Sequence, residues 1–350
     1  MLKVGLRRRS VPSHPLLPLA LSLGLSLLVC GALFWSVGAD PLLGYLKMFE
    51  GAFVRASGIS ETLTRSIPIM LCGLSVTLAL RAGFWNIGAE GQMYAGAIAA
   101  TALALALPEA PAYSLLPAML VAGFSSGALW GLITVPLKVR LNVSEILTTL
   151  MMNYIAVLIT SDLVHGSWSD RYGFPQTELF AESARLPRIP GTRIHVTLFI
   201  GLVGALLIFV LLRRTTLGYE IRVLGEGLEA SRYAGINRFR VLLVVMAISG
   251  GLAGIAGMGE VSGALRQLRY DFSPGYGYTG ILIAFLSKLN PIAVVVSAVL
   301  IGGLFVGVDM IQITLGLPAA MANVFQGLIF LFFLGCEVLS RYRVVIRVRG

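Results

Sequence analysis

Residues 83–92, GFWNIGAEGQ, place Asn86, Glu90 and Gln92 within seven positions, among three glycines. Residues of these types at this spacing suit three kinds of chemistry. The carboxylate could act as a general acid or base. The trio could line a path for a hydrophilic solute. The glycines could mark a tight start to a helix, with the amides satisfying its backbone. Acid–base catalysis by carboxylates usually needs a second titratable group poised against the first. The flanking runs, IPIMLCGLSVTLAL and MYAGAIAATALALAL, offer no second carboxylate. His14, His165 and His195 fall in a tail or in loops, HExxH is absent, and no serine stands in a G-x-S-x-G setting. None of the four lysines, Lys3, Lys47, Lys138 and Lys288, sits in a phosphate-cradling G-x-x-x-x-G-K-[ST] loop. Cys30, Cys72 and Cys336 lie in apolar runs, and their spacing gives neither a metal site nor a disulfide framework. No catalytic, metal or cofactor site is therefore expected.

The elements that must position Glu90 follow from composition. Of 350 residues, 57% are hydrophobic and 13% charged, and the mean hydropathy is +0.85. A soluble domain carries about 25% charged residues, so an all-α, polytopic membrane protein is the reading. Apolar runs approach the ~20 residues that cross a bilayer core. They fall at about 16–35, 62–80, 84–107, 113–136, 146–161, 194–212, 240–259, 276–289, 291–309 and 318–337, which makes ten expected spans. The first resembles an uncleaved signal anchor behind MLKVGLRRRS, with a secretory signal peptide as the alternative. With the N-terminus cytoplasmic, eighteen of the 27 lysines and arginines fall inside, six of them in the 213–240 loop. An even number of spans returns the arginine-rich C-terminus to the same side, as the positive-inside tendency requires. The net charge of +10 is thus read as topology rather than as nucleic-acid binding. The division expected is a basic tail over 1–15, a transmembrane domain over 16–340 and a second basic tail over 341–350.

In such a body an ionisable side chain is costly unless paired or hydrated, which makes Glu90 a functional candidate. A structural network with Asn86, four residues away and on the same face of any helix through both, is the competing reading. Further polar candidates for a solute path are Asn153 and Tyr154 in the fifth span and Asn323 and Gln326 in the tenth. Glu260 and Asp309 are placed at the outer ends of the seventh and ninth spans. Glycines recur at fourth positions, as in Gly123/Gly127/Gly131, Gly250/Gly254 and Gly303/Gly307. That spacing lets helix backbones approach closely. Two loops are long. The outer one, 162–193, is either a surface for a soluble partner or a cover over the outer mouth. The inner one, 213–240, is either a solvated linker or a docking element. In it, Leu228, Tyr233 and Ile236 are expected to face one way and Glu229 and Arg232 the water.

Four ordered segments carry a resemblance over roughly residues 15–340. GFWNIGAEGQMYAGA is similar to the signature segment of ABC-transporter membrane subunits of the branched-chain amino acid/ribose permease superfamily, in the branch handling nucleosides and simple sugars. LNVSEILTTLMMNYIA (141–156), TTLGYEIRVLGEGLEASRYAGI (215–236) and GYGYTGILIAFLSKLNP (275–291) resemble that family's later motifs. In the second, the acid sits two positions later than the family's Asn-Glu-Val, at Glu145, so no role is carried over to it. The resemblance implies a non-enzymatic permease subunit in a bacterial cytoplasmic (inner) membrane. Cytoplasmic ABC ATPase subunits would use ATP and Mg, a second permease subunit would complete a homo- or heterodimer, and an extracytoplasmic solute-binding protein would deliver the solute. It also implies an ATPase-coupling element at Gly225, Glu229, Arg232 and Gly235. Asn86, Glu90, Asn153, Asn323 and Gln326 are the expected substrate-path residues. A nucleoside is the expected solute, a simple sugar the runner-up. A stand-alone secondary transporter or channel, which also uses broken, glycine-rich spans, is the alternative class.

Overall fold

The computed structural model describes residues 2–8, 17–36, 38–316 and 342–348, with isolated positions between 320 and 335. The chain is mostly helical. It runs β1 (Leu2–Arg8), α1 (Leu17–Ser36), α2 (Pro41–Phe49), α3 (Ala56–Arg81), α4 (Ala89–Ala106), α5 (Ala112–Leu132), α6 (Thr134–Val139), α7 (Glu145–His165), α8 (Thr197–Arg214), α9 (Thr216–Glu226), α10 (Leu228–Tyr233), α11 (Arg238–Gly259), α12 (Tyr276–Leu286), α13 (Pro291–Leu315) and β2 (Tyr342–Val348). Short π-helical turns, Glu50–Val54 and Glu260–Leu265, extend α2 and α11.

Among the described residues, six helical segments are long and apolar enough to cross a bilayer: Ala56–Arg81, Ala112–Val139, Glu145–His165, Thr197–Arg214, Arg238–Leu265 and Pro291–Leu315. The pair Gly24–Ser36 and Pro41–Val54, bent by 117°, makes a seventh if counted as one span. Two expected spans, the third and the eighth, differ from the sequence reading. The third begins at Ala89 rather than 84, and Glu90 and Gln92 dilute its apolar character. The eighth is α12, whose 11 residues reach only about 16 Å, half the thickness of a bilayer core. The tenth, 318–337, lies outside the described residues apart from isolated positions, as do Asn323, Gln326 and Cys336. Sequence patterning also passed over α2. Asp40 caps it, its Oδ1 accepting from the amides of Leu42 and Leu43, with Pro41 at the first helical position.

The chain forms two compact units, residues 1–59 with 303–350 and residues 60–302. In the first, β1 and β2 pair antiparallel, Leu2 opposite Val348, and are the two strands among the described residues, where an all-α chain was expected. Its core holds Cys30, Phe34, Met48, Val308 and Ile311. The expected glycine pair on α13 works here: a Cβ on Gly307 would sit 3.0 Å from Met48 Cβ, and Gly303 lies against the ring of Phe53.

In the second unit, α4, α5 and α11 form the centre, and α4 is buried continuously from Ala89 to Ala97. The glycine stripes meet as their spacing predicts. Gly127 on α5 lies on the backbone of Gly250 and Gly254 on α11, and Gly96 on α4 lies on Gly254. Close backbone approach of this kind gains dispersion contacts where no aqueous driving force separates helix from lipid. By contrast α7 is largely exposed along its length, with Leu147, Met151, Tyr154 and Leu158 on its open side.

Candidate functional site: the polar frame around the start of α4

Residues 83–88 are not helical, so Asn86 and Glu90 do not share a helix face as expected. Gly83 adopts φ +72°, a left-handed turn that stops α3 and is open to glycine. The chain then runs through Asn86 to Gly88, the N-cap of α4. A helix start leaves backbone N–H groups without intrahelical partners, and here side chains supply acceptors. Asn86 Oδ1 accepts from Gly88 N (3.0 Å), and Asn153 Oδ1, reaching across from α7, accepts from Gly91 N (2.8 Å). Asn153 Nδ2 donates back to Ile87 O (2.9 Å) and to the Tyr278 hydroxyl (3.2 Å). Asn86 Nδ2 donates to Gln92 Oε1 and to Ser249 Oγ, both at 3.0 Å, and Gln92 Nε2 donates to Asn86 Oδ1 (3.1 Å). Ser249 Oγ in turn donates to Ser75 O (2.8 Å). Asn86, Gln92 and Asn153 are each at most 2% exposed.

Glu90 serves a second helix start. Its Oε2 accepts from Gly277 N at 2.6 Å, in the first turn of α12. The Ser273 hydroxyl also hydrogen-bonds to its carboxylate. The same Ser273 Oγ accepts from Gly275 N and Tyr276 N. Gly277 permits this: a Cβ there would sit 2.6 Å from Glu90 Cα and 2.8 Å from the Ala89 carbonyl carbon. A carboxylate at a helix N-terminus is favoured by the exposed N–H groups and the macrodipole. Two interrupted helices thus begin side by side, each supplied with acceptors by the other or by α7. Gly88 and Gly91 allow the approach, a Cβ on Gly91 falling 2.9 Å from Asn153.

The structure therefore brings Asn86, Glu90 and Asn153 together around the starts of α4 and α12. Ser75, Ser249, Ser273 and Tyr278 complete the frame and were not singled out by sequence. For Tyr278 a signal existed, since it lies in the quoted GYGYTG stretch. Tyr278 is 41% exposed and so carries the frame to an open surface. Tyr154 is exposed on α7 beside Asn153 in sequence. Glu260 is buried in the π-helical turn after α11. Asp309 lies inside α13, six residues before its end, not at the end of a span. Glu145 pairs with Lys138 Nζ (2.6 Å), closing the turn between α6 and α7.

The 213–240 segment, expected as an inner loop, holds two short helices, α9 and α10. Gly225, near the end of α9, lies against the Arg81 carbonyl at the end of α3, so it packs rather than projects. Glu229 and Arg232 form an exposed ion pair (3.5 Å) on α10. Leu228 and Tyr233 are exposed too, Tyr233 by 91%. The apolar side of α10 is thus uncovered rather than turned onto the helical body, and Ser231 is its buried residue. Gly235 follows in a left-handed turn, φ +68°.

The long loop 162–193, expected outside, covers the end of α11. Thr177 N, Phe180 N and Leu186 N donate to the carbonyls of Leu268, Arg266 and Ser262, and Arg188 donates to those of Gly263 and Ala264. Asp170 organises the loop tip. Burial pushes its carboxyl upward, but the amides of Phe174, Tyr172 and Gly173 and the Gln176 side chain hold it below the usual range. His195 is fully buried where the loop joins α8. Burial, with Arg188 nearby, pushes its imidazole down to about 4. Tyr172, Phe174 and Leu179 remain exposed on the outer face of the loop.

Comparison with known proteins agrees with this architecture. The family described as "Branched-chain amino acid transport system / permease component" matches residues 58–334. A glucose ABC transporter permease protein of Haloferax volcanii is 34% identical over 91% of this chain and 87% of its own length. A guanosine ABC transporter permease protein of Bacillus subtilis is also 34% identical, over 91% of this chain and 93% of its own. A nucleoside ABC transporter permease protein of Lactococcus lactis is 29% identical over 84% of each chain. With its apolar helices, glycine-packed centre and matched length, this multi-pass membrane protein belongs to the branched-chain amino acid transport system permease component family.

Proposed function

We propose that the chain is the permease subunit of an ATP-driven importer of nucleosides, resident in a bacterial cytoplasmic membrane. The observation that carries this is similarity over nine tenths of the chain to a guanosine permease, with a nucleoside permease alongside. Simple-sugar import is the second reading, favoured by equal identity to a glucose permease. ATP and Mg are used by separate cytoplasmic ATPase subunits. Solute arrives from an extracytoplasmic binding protein, and a second permease, identical or similar, lines the other side of the path. The open side of α7 offers a surface for that second subunit.

In this reading Asn86, Glu90 and Asn153 frame the path by fixing the starts of α4 and α12, and Tyr278 presents their network to solute. Asn323 and Gln326 join the path from the last span. Neutral, hydroxyl-rich solutes suit such amide and phenol groups. Alpha10, with Glu229, Arg232 and the uncovered Leu228 and Tyr233, seats in the ATPase, and Gly235 turns the chain out of it. Gly225 ties the seat to the end of α3, directly before the polar frame, so a push on α10 reaches the start of α4 through one close backbone contact.

Replacing Glu229 and Tyr233 by alanine is expected to cut ATPase co-purification and uptake together. Unchanged assembly and transport would sink the coupling role. Binding of nucleosides and sugars to the partner binding protein, measured by calorimetry, separates the two solute classes.

A further inference from the structure

Four arginines, Arg81, Arg213, Arg214 and Arg222, line a cavity of about 530 Å³ where α3, α8 and α9 end or begin, with Asn290 on its wall. Arg81 is fixed by donation from Nε to Leu289 O (3.0 Å) and from Nη2 to Lys288 O (3.4 Å). The Arg213 guanidinium stacks 4.6 Å over the ring of Phe209. Among the described residues none of the four forms an ion pair, although Glu220 and Glu226 lie on α9 itself. Like charges around one cavity repel, and an anion among them relieves that repulsion. Guanidinium groups bind phosphate oxygens in bidentate fashion.

The face of α8 that leads away from the cavity wall at Phe209 and Arg213 indicates which anion. Leu202, Leu206, Phe209 and Arg213 follow one another at spacings of four, three and four, a single helix face. Leu202 and Leu206 are exposed on it, along a helix apolar enough to cross the bilayer. An apolar stripe ending in a stacked guanidinium beside a basic cavity matches an acyl chain with a phosphate head, and basic cavities between helix ends are a recurrent seat for anionic headgroups. A soluble phosphate would have no use for the stripe. We propose that this cavity holds the phosphate headgroup of an anionic phospholipid, with its acyl chain along Leu202, Leu206 and Phe209.

The test uses the full chain, purified in detergent and equilibrated with mixed micelles of phosphatidylglycerol or phosphatidylcholine, with retained lipid quantified by mass spectrometry. Wild type is expected to retain phosphatidylglycerol selectively. Each guanidinium near a lipid phosphate contributes about fivefold, so Arg213→Gln with Arg222→Gln should lower phosphatidylglycerol retention by about 25-fold. Phosphatidylcholine retention should not change. Arg238→Gln with Arg240→Gln, outside the cavity, should leave both lipids unaffected. Arg214→Gln, an exposed change, gives a milder loss if the double variant does not fold. Equal phosphatidylglycerol retention by the variants and wild type overturns the proposal. So does release of the lipid by inorganic phosphate with no preference between the two lipids, which would mark a free-anion site. Loss of co-purifying ATPase with lipid retention intact would assign the cluster to a protein partner and overturn it as well.

Discussion

Glu90 can be made to declare which of its two roles it plays. Its Oε2 receives the Gly277 amide at 2.6 Å in a site where Glu90 is only 4% exposed. Replacing Glu90 by alanine strands a first-turn N–H of α12 away from water. A buried donor left without an acceptor costs about 1–3 kcal/mol, and losing the anion at the helix start costs up to about 1 kcal/mol more. Glu90→Ala should therefore destabilise the protein by about 1–4 kcal/mol. Glu90→Gln keeps an acceptor oxygen of the same reach and gives up only the charge, for a loss of about 1 kcal/mol. The assay pairs unfolding of the purified chain in detergent with solute uptake by the assembled transporter in vesicles. If Glu90 acts by fixing α12, stability falls in the order wild type, glutamine, alanine, and uptake per folded molecule survives in the glutamine variant. A glutamine variant as stable as wild type but inactive in uptake would refute this reasoning, since the charge itself would then be used. An alanine variant as stable as wild type would show that the cap contributes nothing.

Gly254→Ala should destabilise by about 1–3 kcal/mol, the cost of overpacking, because the new Cβ meets backbone of α5 at 3.0–3.1 Å as well as the Gly123 carbonyl oxygen. Gly204→Ala on α8, with nothing nearer than 3.6 Å, should instead be neutral or stabilising by up to about 1 kcal/mol; equal melting of the two variants would contradict the packing account. His195 predicts a pH effect. Its folded pKa is about 4, below the ordinary 6.5, so the unfolded chain takes up a proton first as pH falls. The stability it allows is complete above pH 6.5 and drains away between about 6.5 and 4, by about 3 kcal/mol. Melting measured across that window should slope less in His195→Leu than in wild type, and parallel curves would exclude the histidine as the cause.

The sequence carried the class of the molecule because its signals are local and additive. Apolar runs, arginine placement and fourth-position glycines need no partner to be read. The stripes on α5 and α11 met as expected because close packing in an apolar setting leaves few alternatives for such faces. The short helices were harder. Alpha12 reads as a span because its residues are apolar, and only the fold shows that its helix is 11 residues long with its start bound to α4. Alpha2 was missed because its 9 residues fall below the length at which apolar periodicity speaks.

The opening stretch shows the same division. Glycine, amide and carboxylate in GFWNIGAEGQ announced an unusual helix start, and that much is a property of the residue types. What each polar group holds depends on partners 60 to 190 positions away: Asn153 for Gly91, Ser249 for Asn86, Gly277 for Glu90. No local pattern encodes those distances, because they are set by how α7, α11 and α12 pack around α4. The sequence by itself determined that a polar break lies inside an apolar permease. The tertiary structure decided that the break is a set of shared helix caps, since buried backbone groups must find acceptors wherever the packing brings them.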